Sequence, residues 1–173
     1  YKGSWVVLFS HPADFTPVCT TEFIALSRMN ETFASLNTKL IGLSIDSLHS
    51  HLGWIKSIEA LNFNNEGKVK IPFPIIADIS MNVARKYGML QTVANTQTVR
   101  AVFIIDPEGM IRTILYYPMS TGRNIPEIIR ILQSLQLNDK THYSTPANWQ
   151  PGDAVVMGAP LTIEEAQERL ESS

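Results

Sequence analysis

Short apolar runs alternate with stretches of helical periodicity along most of this chain, and that alternation narrows the fold more than any other feature. "WVVLFS" (5–10), "KLIGLSID" (39–46) and "IPFPIIAD" (71–78) read as buried strands. From Phe23, apolar residues fall at 23, 26, 29, 33 and 36, which is helical spacing. Ser47 is placed to cap a helix carrying Leu48, Leu52, Ile55 and Ile58, and Ser80 to cap a short one ending at Gly88. "AVFIIDPEGMIRTILYY" is two apolar runs joined by Asp106-Pro107-Glu108-Gly109, a turn signal, so it reads as a hairpin. Asn124 then precedes "IPEIIRILQSLQL", with Ile125, Ile128, Ile129, Leu132 and Leu135 on one side. The order β-α-β-α-β-α-β-β-α belongs to the α/β class. Early alternation implies parallel strands and the hairpin adds an antiparallel pair, giving one mixed central sheet flanked by helices. After Asn138 the composition turns to "NDKTHYSTPANWQPGDAVVMGAPLT", rich in turn formers, followed by a short amphipathic helix, "LTIEEAQERL", capped by Thr162. The expected organisation is a domain over 1–138 and a C-terminal extension over 139–173.

Charge and cysteine usage remove several function classes. Fourteen Lys+Arg face sixteen Asp+Glu, a formal net charge of −2, without a basic stripe, which argues against nucleic acid as a partner. The apolar runs are far too short for a membrane span. One cysteine, Cys19, excludes an internal disulfide framework, a cysteine-rich zinc site and a C-x-x-C pair. No signal peptide is visible, and a cytoplasmic location is expected. The chain opens almost inside a strand, "YKGSWVVLF", which fits a natural start upstream of Tyr1.

The lone cysteine sits in "HPADFTPVCT" (11–20), between the first strand and the first helix. With Thr16 as N-cap and Pro17 at the first helical position, where its missing N–H costs little, Cys19 falls in the first turn. Free backbone N–H groups and the positive end of the helix dipole lie there. They favour a thiolate, the nucleophilic form of sulfur. From position alone, a buried small hydrophobe is the competing reading for a lone cysteine.

"PADFTPVC" carries Pro12, Thr16 and Cys19 in the Pro-x-x-x-Thr-x-x-Cys motif, and "LFSHPADFTPVCTTE" closely resembles the one-cysteine subgroup of the peroxiredoxins. The likeness runs from about Gly3 to Leu137 and resumes in "TPANWQPGDAVV". It implies a thioredoxin-like fold and reduction of hydrogen peroxide and organic hydroperoxides, with no metal, haem or other cofactor. It also implies that Cys19 is the peroxidatic cysteine. Attack of a thiolate on a peroxide oxygen spreads negative charge over sulfur and both oxygens, so fixed donors in a dry pocket are needed. Thr16 offers a hydroxyl to the peroxide, and Pro12 shapes the loop and shields the sulfur. By resemblance, Arg100 sets its guanidinium against the sulfur and binds peroxide; by itself it reads equally as a strand-end arginine reaching solvent. His11 is placed beside the pocket, and Glu22 links Arg100 to a second arginine, Arg123. Alternatives for these three are a hydrogen-bonded core histidine, a solvated first-turn acid and a surface loop residue.

A single cysteine leaves no internal partner for the sulfenic acid, so an external thiol such as glutathione or thioredoxin has to restore it. Relatives form dimers and rings of dimers. The segment 139–160 brings Tyr143, Trp149, Val155, Val156 and Met157 without an evident core of its own, and is expected to cover a second subunit in a homodimer.

Other residues point nowhere together. His49 and His51 form an H-x-H pair on a helix, where i and i+2 do not share a face, so no metal site is expected. His142 lies in a loop, and Trp54 and Trp149 read as packing residues. Some relatives in this subgroup are credited with a phospholipase activity. Here Ser4 lacks a closing glycine, with Val6 and Val7 in its place, Glu108 stands for the acid, and the histidine would lie upstream of Tyr1. The rival classes are therefore a lipid hydrolase, which these residues do not carry, and a non-enzymatic chaperone or interaction domain with an inert cysteine.

Overall fold

The computed structural model describes residues 1–90 and 97–171. Its elements are β1 (Trp5–Ser10), α1 (Pro17–Arg28), α2 (Asn30–Ser35), β2 (Thr38–Ser44), α3 (Leu48–Ala60), β3 (Ile75–Ala77), α4 (Asn82–Lys86), β4 (Arg100–Ile105), β5 (Ile111–Tyr117), α5 (Ile125–Thr141) and α6 (Ile163–Glu171), with a 3₁₀ turn at Phe63–Asn65. They fall into two compact units, Tyr1–Pro126 and Glu127–Ser173.

The first unit is built on a five-stranded sheet of order β3-β2-β1-β4-β5. Helical crossovers make β1, β2 and β3 parallel, and β4 runs antiparallel to both β1 and β5. The β4–β5 turn is tied by Asp106, whose carboxylate accepts from the N–H groups of Glu108 (3.1 Å) and Met110 (2.9 Å), while Gly109 takes a φ of 92°. Strand alternation divides the side chains between two faces. Val6, Leu8, Ile41, Leu43, Ala101 and Phe103 form one buried cluster with Ala84 of α4. On the other face Phe9 meets Phe23 of α1 edge-on at 5.5 Å, and Phe23 meets Trp54 of α3 at 4.5 Å. Burying each of these rings stabilises the fold by about 1.5–3 kcal/mol. Gly42 makes room for them, since a Cβ there would stand 3.3 Å from Phe9 Cζ and 3.5 Å from Phe23 Cζ. By the same alternation Arg100, Val102 and Ile104 of β4 share the α1 face.

Four local expectations are corrected. The helix after Phe23 breaks at Met29 (φ −94°, ψ 3°), and the bend sets α2 beside β2 while Phe33 stays fully buried. The third strand shrinks to Ile75–Ala77, because Pro72 and Pro74 have no N–H for a ladder. Ser80 does not cap α4: Met81 is the N-cap, in a left-handed conformation, and the buried Asp78 carboxylate accepts from the N–H groups of Val83 and Ala84. Ser47 does cap α3, accepting from Ser50 N at 3.1 Å. The buried face of α3, however, is His51, Trp54 and Ile58, whereas Leu48 and Leu52 are 56% and 51% exposed. That face turns inward because its two polar side chains find partners there, as the site shows.

In the second unit Ile128, Ile129 and Leu132 are buried. Arg130 pairs with Glu127 and donates to the Trp149 carbonyl (3.2 Å). Trp149 is buried, its indole N–H on the Asp153 carbonyl at 3.2 Å, while Tyr143, Val156 and Met157 are exposed. Thr162 caps α6 by accepting from Glu165 N. Among the described residues no helix is long and apolar enough to cross a membrane.

Candidate active site

The loop from β1 into α1 places Cys19. Phe15 adopts a left-handed φ of 57°, Thr16 returns to extended backbone, and Pro17 opens the helix, leaving Cys19 fully buried in its first turn. Thr16 stands at the N-cap position, but its hydroxyl does not cap the helix. It donates to the Ala13 carbonyl at 2.8 Å, which closes the loop on itself. The Thr16 carbonyl accepts from both the N–H and the hydroxyl of Thr20. Pro12 is buried in the same loop.

Arg100, the first residue of β4, lies on the α1 side of the sheet. Its Nη1 donates to Cys19 Sγ at 3.2 Å and to Glu22 Oε2 at 2.9 Å, and its Nε donates to the Met119 carbonyl at 2.8 Å. Arg123 grips the same carboxylate: its backbone N–H and Nε donate to Glu22 Oε1, and its Nη2 to Oε2 at 2.7 Å. The remaining Arg123 nitrogen donates to the carbonyls of Ser10 and Ala101, and the guanidinium lies over the Phe9 ring at 5.2 Å. All four residues are buried, with Arg123 the most exposed at 7%. Two guanidiniums thus share one carboxylate, which leaves one positive charge of the cluster facing the sulfur.

A second buried cluster begins at His11. Its Nε2 is 2.8 Å from Asp14 Oδ1, and His51 Nδ1 is 2.8 Å from Asp14 Oδ2. Burial alone would push the Asp14 carboxyl up. The hydrogen bonds from the two imidazoles outweigh that and hold it well below the usual carboxylate range. Burial pushes His11 down, against the opposing pull of Asp14. The His11 ring packs at 4.9 Å on Trp54 and 5.0 Å on Phe23. The ligand atoms of His11, Asp14 and His51 lie within 4.8 Å of one another, close enough to share a metal ion, but each bonded ring nitrogen already faces the carboxylate. His49 and His142 are exposed and belong to no such group. Asp14 and His51 are the residues sequence reasoning passed over. A usable signal was present: 51, 54 and 58 fall at i, i+3 and i+7, the buried stripe of a helix.

The Ser4 hydroxyl donates to Asn37 Oδ1 at 3.3 Å rather than to an imidazole. A cavity of about 500 Å³ lined by Val6, Leu8, Ile41, Ile76 and Tyr87 opens on the sheet face opposite α1, away from the sulfur.

Residues 1–114 match the AhpC/TSA family, and residues 134–173 match the C-terminal domain of 1-Cys peroxiredoxin. The chain belongs to the one-cysteine peroxiredoxins. A peroxiredoxin of Methanosarcina mazei is 58% identical over 172 residues, covering 98% of this chain and 78% of the relative. Among solved structures, a cysteine-to-serine mutant of peroxiredoxin 6 of Arenicola marina superposes with a TM-score of 0.84 at 40% identity, covering 96% of this chain and 77% of that one. A yeast mitochondrial 1-Cys peroxiredoxin, studied for thiol resolution via glutathione/thioredoxin systems, gives 0.85 at 43% identity, with 96% and 80% covered. The mixed sheet flanked by helices is therefore a thioredoxin-like fold, and the protein is a thiol-dependent peroxidase. The hydrolase and inert-cysteine readings are not favoured.

Proposed function

We propose that Cys19 attacks hydrogen peroxide or an organic hydroperoxide as a thiolate, and that Thr16, Arg100 and Pro12 form the peroxide site around it. The observation that carries this reading is the 3.2 Å contact of Arg100 with Cys19 Sγ inside a cluster of two guanidiniums and one carboxylate. A thiolate balances the remaining charge, and a buried cluster without that balance is costly. The sulfur bonds to one peroxide oxygen as the O–O bond breaks. The departing hydroxide or alkoxide takes a proton from water, and Cys19 is left as a sulfenic acid. Arg100 stabilises the negative charge developing on the oxygens. The N–H groups of the first turn of α1 have no helical acceptor, and Cys19 lies in that turn. The Thr16 hydroxyl gives its hydrogen to Ala13, so its lone pairs are turned to a peroxide O–H. Glu22 and Arg123 hold Arg100 in position, His11 borders the loop, and buried Pro12 excludes water.

An external thiol then attacks the sulfenic sulfur, releasing water and leaving a mixed disulfide that a second thiol reduces. Glutathione and thioredoxin are the proposed reductants, as the yeast relative's resolving systems suggest. The proposed location is the cytoplasm, and the extension 139–173 is proposed as a dimer element, supported by exposed Tyr143, Val156 and Met157. Light scattering at micromolar concentration is expected to give a dimer mass or a multiple of it; a monomer mass refutes the assembly. Cys19→Ser is expected to abolish peroxide consumption with the fold intact, and consumption at the parent rate by that variant overturns the reading.

A further inference from the structure

We infer that Asp14 and His51 are positioning residues, which hold His11 in a single tautomer and tie helix α3 to the loop that carries Thr16 and Cys19. The inference rests on the reading of that loop as the peroxide site.

Asp14 is a carboxylate with a side-chain exposure of 1% whose two oxygens each meet an imidazole, with the Ser50 side chain as a further hydrogen-bond partner; among the described residues no Lys or Arg ion pair to it is present. An ionised carboxylate only accepts hydrogen bonds, so each facing nitrogen carries the proton. The two rings are therefore held in opposite tautomers: His11 protonated at Nε2 and His51 at Nδ1. Their far atoms, His11 Nδ1 and His51 Nε2, are buried and have no partner among the described residues. A proton on either far atom would bury both a charge and an unsatisfied donor. Each is left as a bare acceptor, and that of His11 is buried in the residue that opens the loop.

Asp14 is itself pinned. Its N–H donates to Asp46 Oδ2 at 3.0 Å, and that oxygen accepts from the Ser44 hydroxyl at 2.7 Å. Asp14 lies two residues from Thr16, so the residue whose carboxylate sets the imidazoles also fixes the loop backbone, through its own N–H on Asp46. Helix α3 reaches the loop a second time through Trp54, whose indole N–H donates to Thr20 Oγ1 at 3.2 Å while that hydroxyl donates to the Thr16 carbonyl at 2.9 Å. His51 and Trp54, one turn apart on α3, thus hold the loop from both sides of Thr16.

The test replaces an acceptor by a mixed group. In Asp14→Asn the amide oxygen accepts from one ring, but the NH₂ must donate to the other and drives that ring's proton to its far nitrogen. Imidazole ¹⁵N shifts of the parent protein are expected to show one ring protonated at Nε2 and one at Nδ1, with one of the two inverted in Asp14→Asn. Peroxide kcat/KM is expected to fall by roughly 10²-fold, the scale of a displaced reacting geometry. His51→Asn keeps a side-chain N–H at the place of Nδ1 and is expected to stay near the parent rate, while His51→Leu removes it and is expected to fall with Asp14→Asn. Parent turnover in both Asp14→Asn and His51→Leu, or two rings in the same tautomer in the parent, overturns the inference. So does stoichiometric binding of added zinc by the parent that His51→Asn abolishes, since the cluster would then be a metal site. Failure of the underlying peroxidase reading shows separately, as undiminished turnover in Cys19→Ser.

Discussion

Two buried carboxylates, Glu22 and Asp14, lie on either side of Cys19 in the sequence, and they are satisfied in opposite ways. Glu22 meets two permanent cations and receives four hydrogen bonds from Arg100 and Arg123 side chains and backbone. Asp14 meets two titratable rings and leaves a bare nitrogen on each. The first cluster is a frame of two guanidiniums locked by hydrogen bonds around one carboxylate. The second is held by protons that acid can add to or redistribute. One protein thus supports its reactive sulfur with a rigid charge and borders the same loop with a responsive one.

Removing Glu22 is expected to break this comparison most severely. Glu22→Ala leaves two buried guanidiniums without their anion, and chemical denaturation is expected to show a loss of about 3–5 kcal/mol; a loss under 1 kcal/mol would mean that water or another anion replaces the carboxylate.

Next in size is the charge at the sulfur. Arg100→Met retains bulk but removes the donor, and stopped-flow peroxide reduction is expected to slow by roughly 10²-fold or more. Alkylation and peroxide reduction at parent rates would detach Arg100 from the chemistry.

Smallest is the effect of mild acid, which singles out the second cluster. His11 is held below its ordinary value of about 6.5, so the unfolded chain takes up a proton before the folded one and stability falls as pH drops through that range. Asp14 is held below its ordinary value of about 3.9, so its contribution is present above that value and is lost as pH falls further. Thermal melts are expected to show both losses in the parent, and only the first in Asp14→Asn. A flat profile from pH 7 to 5 would contradict the neutral, desolvated state of His11.

The places where periodicity misled share a physical cause. Leu48 and Leu52 satisfied a helical apolar stripe, yet α3 turned His51 and Trp54 inward. The decision came from partners thirty-odd residues away, Asp14 and Thr20, whose hydrogen bonds exist only in the folded chain. Ser80 had the composition of a cap, but Asp78 had the position, because Met81 took the left-handed conformation that aims the earlier carboxylate at the helix. The break at Met29 goes with the packing of α2 beside β2, a contact that no apolar spacing in this stretch specifies.

By itself the sequence determined what depends on near neighbours. The strands of alternating and continuous apolar character, the Asp106–Gly109 turn, and the Thr16-Pro17 start that puts Cys19 in a first helical turn all arise from local sterics, local hydrogen bonds and side-chain period. The Pro-x-x-x-Thr-x-x-Cys spacing carried the family with it. Tertiary structure alone decided what those residues touch. Cys19 and Arg100 are 81 positions apart, Glu22 and Arg123 are 101 apart, and the antiparallel β1–β4 pairing is what brings them together. The tautomers of His11 and His51 belong to the same level, because a buried imidazole takes its proton where the fold supplies an acceptor, and no spacing in the chain specifies that.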